Sequence, residues 1–342
     1  EKERFSRELT GEMGKVLKEA RGDIQEAIDM TYYMAGEGRR AFGQTTPSEL
    51  PDKFAMSVRA PIGVIGLITP WNFPMAIPSW KIMPAIVTGN TVVFKPSQYA
   101  PKSAHNLVAA LEEAGLPPGV VNIVHGEGAD VGEAIIAHPD VAAISFTGAN
   151  AVGRQIAMKC AELDKQVSLE MGGKNAITVL DDADVPLAIE GAIWSAFGTT
   201  GQRCTAASRM IVHDAVYDDF ASQLVARAEK LRLGDGLLDA TDVGPVVNRS
   251  QLAKIDGYMS VGRDEGATLA CGGSVAEVDG LRGYFFRPTV FTDVRPSMRI
   301  AQEEIFGPVT ALIRVGSLDE AIEVNNGVPY GLSSSIYTRD VN

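Results

Sequence analysis

The chain has 342 residues, of which 45% are hydrophobic and 22% charged, a composition typical of globular proteins and a length that favours two domains. A net charge of −12 without a basic stripe makes nucleic acid and anionic membranes poor candidate partners, and no apolar run is long enough for a membrane helix. Three cysteines without a CxxC spacing and four scattered histidines favour neither a disulfide framework nor a bound metal, so we expect a reducing, cytoplasmic setting.

The first 43 residues predict helices, because apolar side chains recur at helical spacing, as at Ile24, Ile28 and Tyr32. A polar stretch with two prolines follows. From Ala60 onward, short apolar runs alternate with helical patterns, which is typical of a parallel sheet with helices on both faces. The runs are VIGLIT, NTVVFKPS, VVNIVHG and AAISFTG. After VSLEMGG the alternation resumes with AITVL and RMIVH, so a second α/β domain is predicted to begin near Lys174.

Cys204, in the segment GQRCTAASR, is the first candidate for chemistry. It follows a glycine-rich turn and precedes small residues that we expect to open a helix, whose dipole and N–H groups would lower the pKa of the thiol. The alternative is a small buried hydrophobic residue, the commoner fate of a lone cysteine. Cys160 and Cys271 fit that alternative, since one lies in a helical pattern and the other beside a Gly-Gly turn.

Two polar residues stand at strand ends. Glu170 ends an apolar strand before Gly172 and Gly173, a position that suits a general base, although a surface glutamate is the usual interpretation. Asn72 lies between two prolines after VIGLIT, where a rigid amide suits an oxyanion; the alternative is an asparagine that serves its own turn.

Glycine-rich junctions suggest a bound dinucleotide. SFTGANAVG runs from strand to helix and would offer backbone N–H groups to phosphates, while GEGADVG misses the dinucleotide fingerprint by one residue. Neither signal is specific alone. The chain has no Walker A pattern and no GxSxG elbow.

Taken in order, PWNFP, FKPS, SFTG, LEMGGKN, GQRC and EEIFGPV resemble the motifs of the aldehyde dehydrogenase superfamily along the whole chain. The resemblance implies an α/β aldehyde dehydrogenase fold with a Rossmann-like cofactor domain and a second α/β catalytic domain. The implied NAD(P)-binding domain comprises residues 1–43 and 61–173, an oligomerisation segment includes 44–60, and the catalytic domain comprises 174–342. Because relatives usually run further, we expect this chain to be truncated at both ends, and the native protein to be a homodimer or homotetramer.

The resemblance also implies roles for individual residues. Cys204 matches the nucleophile, Asn72 the oxyanion donor, Glu170 the base that activates water, and Lys81 a lysine that helps to remove a proton. The implied NAD or NADP contacts are Thr69, Trp71, Lys95, Ser97, Gln98, Gly128, Gly148, Ala149, Gly153, Glu304 and Phe306. The implied substrate contacts are Phe73, Ile77, Trp80 and Arg203.

Two departures concern the cofactor. Ala149 stands where the family often has serine, so one hydroxyl near the phosphates is lost. Gln98 stands where NAD-specific members often have glutamate; being neutral, it would not repel a 2′-phosphate, and we expect NADP to be tolerated.

Alternatives to a hydrolytic aldehyde dehydrogenase remain open at this point. A CoA-acylating semialdehyde dehydrogenase typically lacks the glutamate found at 170, and a non-catalytic structural homologue would have lost Cys204 or Asn72. The substrate is less defined. Arg203 beside the nucleophile recurs in branches that oxidise semialdehydes, such as ketoglutarate semialdehyde, but its side chain is equally suited to a structural salt bridge.

Overall fold

The structure, a computed structural model, describes residues 1–340, which fold into two compact units. The first unit comprises Glu1–Glu12 and Ala20–Met171, and the second comprises Met13–Glu19 together with the chain from Gly172 onward. Within residues 1–340, no helix combines the length and the apolar character needed to cross a membrane.

The N-terminal prediction of helices is matched by α1 (Lys2–Met13) and α2 (Leu17–Gly38). After a hairpin that the pattern did not predict, the elements of the first unit alternate from residue 64 onward as the pattern predicts. Its strands are β1 (Thr45–Pro47), β2 (Phe54–Met56), β3 (Val64–Ile68), β4 (Thr91–Lys95), β5 (Val121–Ile123), β6 (Val141–Gly148) and β7 (Gln166–Met171). Its further helices are α3 (Ala76–Val87), α4 (Pro101–Glu113), α5 (Glu133–Ala137) and α6 (Asn150–Glu162).

Five of the described strands form a parallel sheet in the order β5-β4-β3-β6-β7. The chain starts at the central strand β3, proceeds outward through β4 and β5, and then returns to place β6 and β7 on the other side. The sheet therefore reverses its direction of growth between β3 and β6, where open α/β sheets bind ligands. Its core includes apolar side chains of β6, α5 and α6, namely Ile135, Ile136, Val141, Ile144, Phe146, Ile156 and Cys160.

Two details of this unit depart from regular buried α/β structure. GEGADVG does not start a regular α-helix: Gly128–Gly132 forms a π-helical turn that leads into α5. The run VSLEM forms β7 at the sheet edge, where Val167 and Glu170 are exposed, so this strand is less buried than its apolar residues suggest.

Residues 44–60, the predicted oligomerisation segment, contain an antiparallel hairpin in which Thr45 of β1 lies opposite Met56 of β2. Apolar side chains on and beside it are exposed: Phe42, Leu50, Phe54, Met56 and Val58. Its role in assembly stays a prediction.

The second unit is also α/β. Its strands are β8 (Asn175–Val179), β9 (Ala207–His213), β10 (Thr268–Cys271), β11 (Val275–Ala276), β12 (Phe285–Phe286), β13 (Thr289–Thr292), β14 (Val309–Val315) and β15 (Ser334–Tyr337). Its helices are α7 (Val185–Phe197), α8 (Asp214–Ala228), α9 (Arg249–Asp264), α10 (Arg299–Gln302) and α11 (Leu318–Asn326).

Within the described chain, the larger sheet of this unit runs β10-β13-β14-β9-β8-β15, with β10 antiparallel to β13 and the other pairings parallel. Helices cover both faces of this sheet. Successive residues of a strand point to opposite faces, so neighbouring residues of one strand pack against different helices. On β9, Met210 and Val212 pack with the helices α7 and α8, whereas Ile211 packs with α9, α10 and α11. The nucleophile candidate directly precedes this buried strand.

Candidate active site

In the first unit, most predicted cofactor and catalytic residues lie at one edge of the parallel sheet. Thr69 and Trp71 follow β3, Lys95 ends β4, Gly148 ends β6, and Glu170 lies next to last in β7. The carboxyl ends of parallel strands meet at the same edge, and Glu170 is paired in register with Thr147 of β6. The strand-end region, as we call residues 69–75, 95–98, 147–149 and 170, therefore collects residues that are up to a hundred positions apart.

Asn72 is held in the turn between β3 and α3. It is buried, and the N–H of Ile77 donates to the carbonyl of Phe73 at 3.1 Å, which closes the turn. The first N–H of α3, on Ala76, donates to Oδ1 of Asp23 at 2.8 Å. Asp23 is buried on α2, so a carboxylate from far along the chain anchors the start of α3. Sequence reasoning missed Asp23, because nothing near it marks its partner.

Lys81 extends from α3 to β6. Its Nζ donates to Ser145 Oγ at 2.9 Å and to the carbonyl oxygen of Phe146 at 3.4 Å. Burial lowers the pKa of Lys81 to about 8, and the negative charge of Glu170 opposes part of that shift. Lys81 can therefore exchange protons near neutral pH.

The junction of β6 and α6 fits a dinucleotide diphosphate. Ala149, the N-cap of α6, provides no side-chain acceptor for the first N–H groups of the helix. A Cβ on Gly148 would lie 2.4 Å from the Phe146 ring, so no side chain fits there. Close by along the same sheet edge, Thr69 Oγ1 is buried and has no hydrogen-bond partner among residues 1–340. Uncapped N–H groups, a glycine junction and an orphaned hydroxyl are what a bound phosphate requires.

Gly153 packs closely against the sheet, and its predicted contact with the cofactor stays a prediction. Its N–H donates to the carbonyl of Ala149 at 3.0 Å, within α6. A Cβ at this position would lie 2.5 Å from the sulfur of Met171, so the glycine lets the helix approach the sheet.

The remaining predicted contacts of the first unit differ in exposure. Lys95 is buried and donates from Nζ to the carbonyl of Pro96 at 3.1 Å, and burial lowers its pKa. Gln98 is exposed and Ser97 half-buried. Gly128 is exposed, with open space where a side chain would stand. Among the predicted substrate contacts, Phe73 and Trp80 are half-buried, whereas Ile77 is buried in the core.

In the second unit, Cys204 is half-buried in a turn between the 3₁₀ turn Gly198–Gly201 and β9. The expectation that a helix begins after Cys204 is wrong, because the apolar run from Met210 onward is the centre of a buried strand. No helix dipole is therefore directed at the thiol from this side. Instead, Asn175 of β8 fixes the turn: its Nδ2 donates to the carbonyls of Cys204 at 2.6 Å and Ala206 at 3.1 Å.

Arg203 has its guanidinium engaged inside the protein. Its Nη2 donates to Glu19 Oε1 at 2.9 Å, its Nε donates to Thr199 Oγ1 at 3.0 Å, and it stacks 4.3 Å from the centre of the Trp194 ring. Only 8% of its side chain is exposed. This arrangement corresponds to the salt bridge that the sequence left as the alternative to substrate binding.

The other two cysteines behave as buried hydrophobic residues. Burial raises the pKa of Cys160 and raises that of Cys271 to about 11, so both stay protonated near neutral pH.

Glu304 and Phe306 lie on a loop that α9 and a glycine pair support. A Cβ on Gly172 would lie 2.1 Å from Glu304 Oε2, and the N–H of Gly173 donates to Glu304 Oε1 at 3.3 Å. Burial raises the pKa of Glu304. Gly172 of LEMGGKN is therefore required because the Glu304 carboxylate occupies the space of a side chain, whereas a Cβ on Gly173 would lie 2.7 Å from Asn175 Oδ1.

Backbone contacts from α9 hold the same loop. Lys254 Nζ donates to the carbonyl of Glu304 at 2.9 Å, and Gln251 Nε2 donates to those of Ile305 at 3.1 Å and Phe306 at 2.7 Å. Phe306 has a φ of 61°, a left-handed conformation that needs such support. Gln251 and Lys254 were missed by sequence reasoning, since they look like ordinary surface residues of a helix.

Three sequence motifs meet in the second unit at Gly173. Its N–H binds Glu304 of EEIFGPV, and a Cβ on it would lie 3.0 Å from the carbonyl oxygen of Cys204 in GQRC. Motifs that are far apart in sequence are therefore neighbours here.

The aldehyde dehydrogenase family profile matches residues 1–342 of this chain. The alpha-ketoglutaric semialdehyde dehydrogenase of Bacillus subtilis is 45% identical over 97% of this chain and 68% of its own length. The alpha-ketoglutarate semialdehyde dehydrogenase of Haloferax volcanii is 45% identical over 99% of this chain and 70% of its own.

The chain belongs to the aldehyde dehydrogenase family. A crystal structure of betaine aldehyde dehydrogenase from Staphylococcus aureus, in complex with NAD+, superposes with a TM-score of 0.97 at 38% identity, covering 99% of this chain and 68% of that one. A crystal structure of an E. coli NADP dependent enzyme gives a TM-score of 0.95 at 39% identity, with 99% and 70% covered. The predicted family and fold class are confirmed: this chain is an oxidoreductase that carries out NAD(P)-dependent oxidation of an aldehyde.

Proposed function

We propose that this aldehyde dehydrogenase converts an organic-acid semialdehyde to the carboxylate by covalent catalysis at Cys204. The observation that carries the substrate class is the 45% identity to two relatives named as alpha-ketoglutarate semialdehyde dehydrogenases. The chemical steps rest on the match of Cys204, Asn72 and Glu170 to the family's catalytic motifs.

The first step is attack of the Cys204 thiolate on the aldehyde carbon, which forms a carbon–sulfur bond and places negative charge on the former carbonyl oxygen. The Asn72 amide donates a hydrogen bond to that oxyanion, a contribution of about 3–4 kcal/mol for one such donor. Bound NAD(P)+ supplies the hydride acceptor. Oxidation of the adduct leaves a thioester on Cys204.

Hydrolysis completes the reaction. Glu170 takes a proton from water, the resulting hydroxide attacks the thioester carbon, and cleavage of the carbon–sulfur bond releases the carboxylate and restores the thiolate. Lys81, whose pKa is about 8 and whose Nζ binds Ser145, would then carry a proton away from Glu170. A glutamate at position 170 favours water over CoA as the acceptor of the acyl group.

The cofactor is proposed to be held by the strand-end region. The uncapped start of α6 and Gly148 would bind the diphosphate, Lys95 and Gln98 the adenine ribose, and Thr69 a neighbouring polar group. Glu304 and Phe306 would hold the nicotinamide riboside. Because Gln98 carries no charge, both NAD and NADP are expected to bind.

The acid group of the substrate needs a cationic partner other than Arg203, because that guanidinium is paired with Glu19. A second candidate substrate is a cationic aldehyde, since the betaine aldehyde dehydrogenase of Bacillus subtilis is 40% identical over 96% of this chain. The two candidates carry opposite charges, which makes them easy to separate by experiment.

The test is a steady-state panel of alpha-ketoglutarate semialdehyde, succinate semialdehyde, betaine aldehyde and propionaldehyde, each with NAD and NADP. We expect kcat/KM to be highest for an acid semialdehyde, with free carboxylate as the product in the absence of CoA. A preference for betaine aldehyde would refute the substrate class, and turnover that requires CoA would refute the hydrolytic step.

A further inference from the structure

The turn that leads into Cys204 has an unusual backbone. Thr199 (φ 52°, ψ 31°), Thr200 (φ 57°, ψ 35°) and Gly201 (φ 67°) are all left-handed. For β-branched threonines this conformation is strained, and it persists only where surrounding contacts impose it. The neighbourhood leaves little freedom: a Cβ on Gly201 would lie 2.0 Å from the carbonyl oxygen of Gly307.

Thr200 Oγ1 donates to the carbonyl of Gly244 at 3.0 Å, and the contacts of Thr199 and Arg203 converge on Glu19. Thr199 N–H donates to both carboxylate oxygens of Glu19, at 2.8 and 2.9 Å, and Thr199 Oγ1 donates to Oε2 at 3.3 Å. Arg203 Nη2 donates to Oε1 at 2.9 Å, while Arg203 Nε donates to Thr199 Oγ1. Glu19, Thr199 and Arg203 therefore form a closed ring of hydrogen bonds, which we call the Glu19 ring.

The Glu19 ring is largely shielded from water. Only 14% of the Glu19 side chain and 8% of the Arg203 side chain are exposed. If one member of a shielded ion pair moves away, the other charge is left uncompensated, which costs free energy. This cost keeps the Glu19 and Arg203 side chains in place. Gly198 is also fitted to it, since a Cβ there would lie 2.7 Å from Arg203 Nη2 and 2.9 Å from Glu19 Oε1.

Glu19 is itself anchored within the second unit. It lies in the first turn of α2, and the N–H of Leu17 in the same turn donates to the carbonyl of Gly236 at 2.8 Å. Gly14 has a φ of 86°, and a Cβ there would lie 2.5 Å from the Pro245 ring, so this position has no room for a side chain. The segment Met13–Glu19 is thus a fixed support for the turn before Cys204.

We propose that Glu19 is a positioning residue for the nucleophile: its carboxylate holds Thr199 and Arg203 so that the turn presents the Cys204 thiol in the attacking orientation. This rests on the proposed nucleophilic role of Cys204. Misplacement of a nucleophile by about 1 Å costs on the order of 10²-fold in rate, so the loss of this support is expected to act on the chemical step.

The test compares Glu19→Gln with Glu12→Gln. Glu12 is a matched control, because its carboxylate also accepts backbone N–H groups from a distant element, those of Lys102 and Ser103 at the start of α4. The control belongs to the first unit and not to the catalytic machinery. Three quantities are measured for each variant: the rate of the pre-steady-state burst of reduced cofactor, the dissociation constant for NAD+, and the thermal midpoint.

We expect Glu19→Gln to slow the burst at least tenfold while the NAD+ dissociation constant changes less than threefold, and Glu12→Gln to leave the burst within twofold of wild type. Iodoacetamide, a small reagent with no demand for aligned geometry, should still alkylate Cys204 in Glu19→Gln. If that variant does not fold, Glu19→Asp, which keeps the charge on a shorter side chain, is expected to show the same selective loss in the burst.

An unchanged burst in a folded Glu19 variant, or an equal loss in Glu12→Gln, would overturn the positioning role. The proposed function is tested separately by Cys204→Ala. If that variant is inactive while Glu19→Gln has a normal burst, only the positioning role fails; if Cys204→Ala retains turnover, the covalent mechanism fails.

Discussion

The strand-end region of the first unit and the turn before Cys204 in the second unit are built in different ways. In the strand-end region, the candidate residues lie at or just beyond the ends of strands, so regular backbone pairing determines where Thr69, Lys95 and Gly148 lie. The Cys204 turn precedes its strand, and its conformation depends on side chains from distant segments, Glu19 and Asn175. The strand-end region suits a cofactor that is bound by backbone N–H groups. The Cys204 turn suits a single reactive atom, the thiol sulfur, whose orientation must be controlled.

The largest effect that separates the two regions is expected from Cys204→Ala. Aldehyde oxidation should fall by at least about 10³-fold, because the covalent route is lost, whereas NAD(P) binding should stay nearly intact. Steady-state kinetics and a calorimetric titration with NAD+ measure the two properties. Cys160→Ala, at a buried cysteine of the first unit, is the control and should keep activity if the protein folds. Substantial turnover in Cys204→Ala would contradict the covalent mechanism.

Glu170→Gln should slow hydrolysis of the thioester without slowing its formation. Steady-state turnover is expected to fall about 10²–10⁴-fold, since water attacks only after the thioester forms. The burst of reduced cofactor should remain, with an amplitude equal to the number of active sites. Rapid-mixing absorbance measurements test this, with Glu162→Gln, an exposed glutamate on α6, as the control. A lost burst would mean that Glu170 acts before the thioester forms.

Lys81 of α3, whose pKa is affected by Glu170 of the strand-end region, gives a pH-dependent prediction for the first unit. Because burial lowers its pKa from 10.5 to about 8, the folded protein releases this proton before the unfolded chain does. Above pH 8 and below 10.5, the unfolded state holds more protons, so wild-type stability should rise relative to Lys81→Met by about 1.4 kcal/mol per pH unit.

Urea unfolding at pH 7, 8, 9 and 9.5 measures the free energy of unfolding of wild type and of Lys81→Met. Subtracting one from the other at each pH cancels the contribution of the other titratable groups. Lys102→Met, at an exposed lysine of α4, is measured alongside as the control for loss of a lysine side chain. A constant difference between wild type and Lys81→Met across this range would show that the lysine is charged in the folded protein.

The smallest effect concerns cofactor choice. Wild type should accept NADP within about tenfold of NAD in kcat/KM, because Gln98 brings no negative charge to the ribose. Gln98→Glu should shift the ratio toward NAD by about tenfold, an effect limited by solvent at this exposed position. Gln166→Glu is the control: it adds the same charge at the start of β7, the end of that strand away from Glu170. Rejection of NADP by wild type by about a thousandfold would mean that another residue closes the phosphate site.

Much of the architecture could be predicted from local pattern. The alternation of apolar runs and helical periodicity predicted the parallel sheet, because residues that form buried strands must be apolar in succession and the helices between them amphipathic. A different signal was misleading after Cys204: its small residues resemble the start of a helix, although the alternation had predicted the apolar run RMIVH that follows. There the choice was made by β9, which is buried between two layers of helices.

The sequence by itself determined the family, the alternation of strands and helices from VIGLIT to RMIVH, and the identity of the candidate nucleophile, base and oxyanion donor, since these depend on short motifs and on periodicity. Only the tertiary structure decided what surrounds them. Asp23 at the start of α3, Gln251 behind Phe306 and Glu19 beneath the Cys204 turn are all separated from their partners by tens of residues or more. These carboxylates and amides meet their partners only in the folded chain. Hydrogen bonds between residues so far apart produce no periodic pattern in the sequence, so they could not be predicted from it.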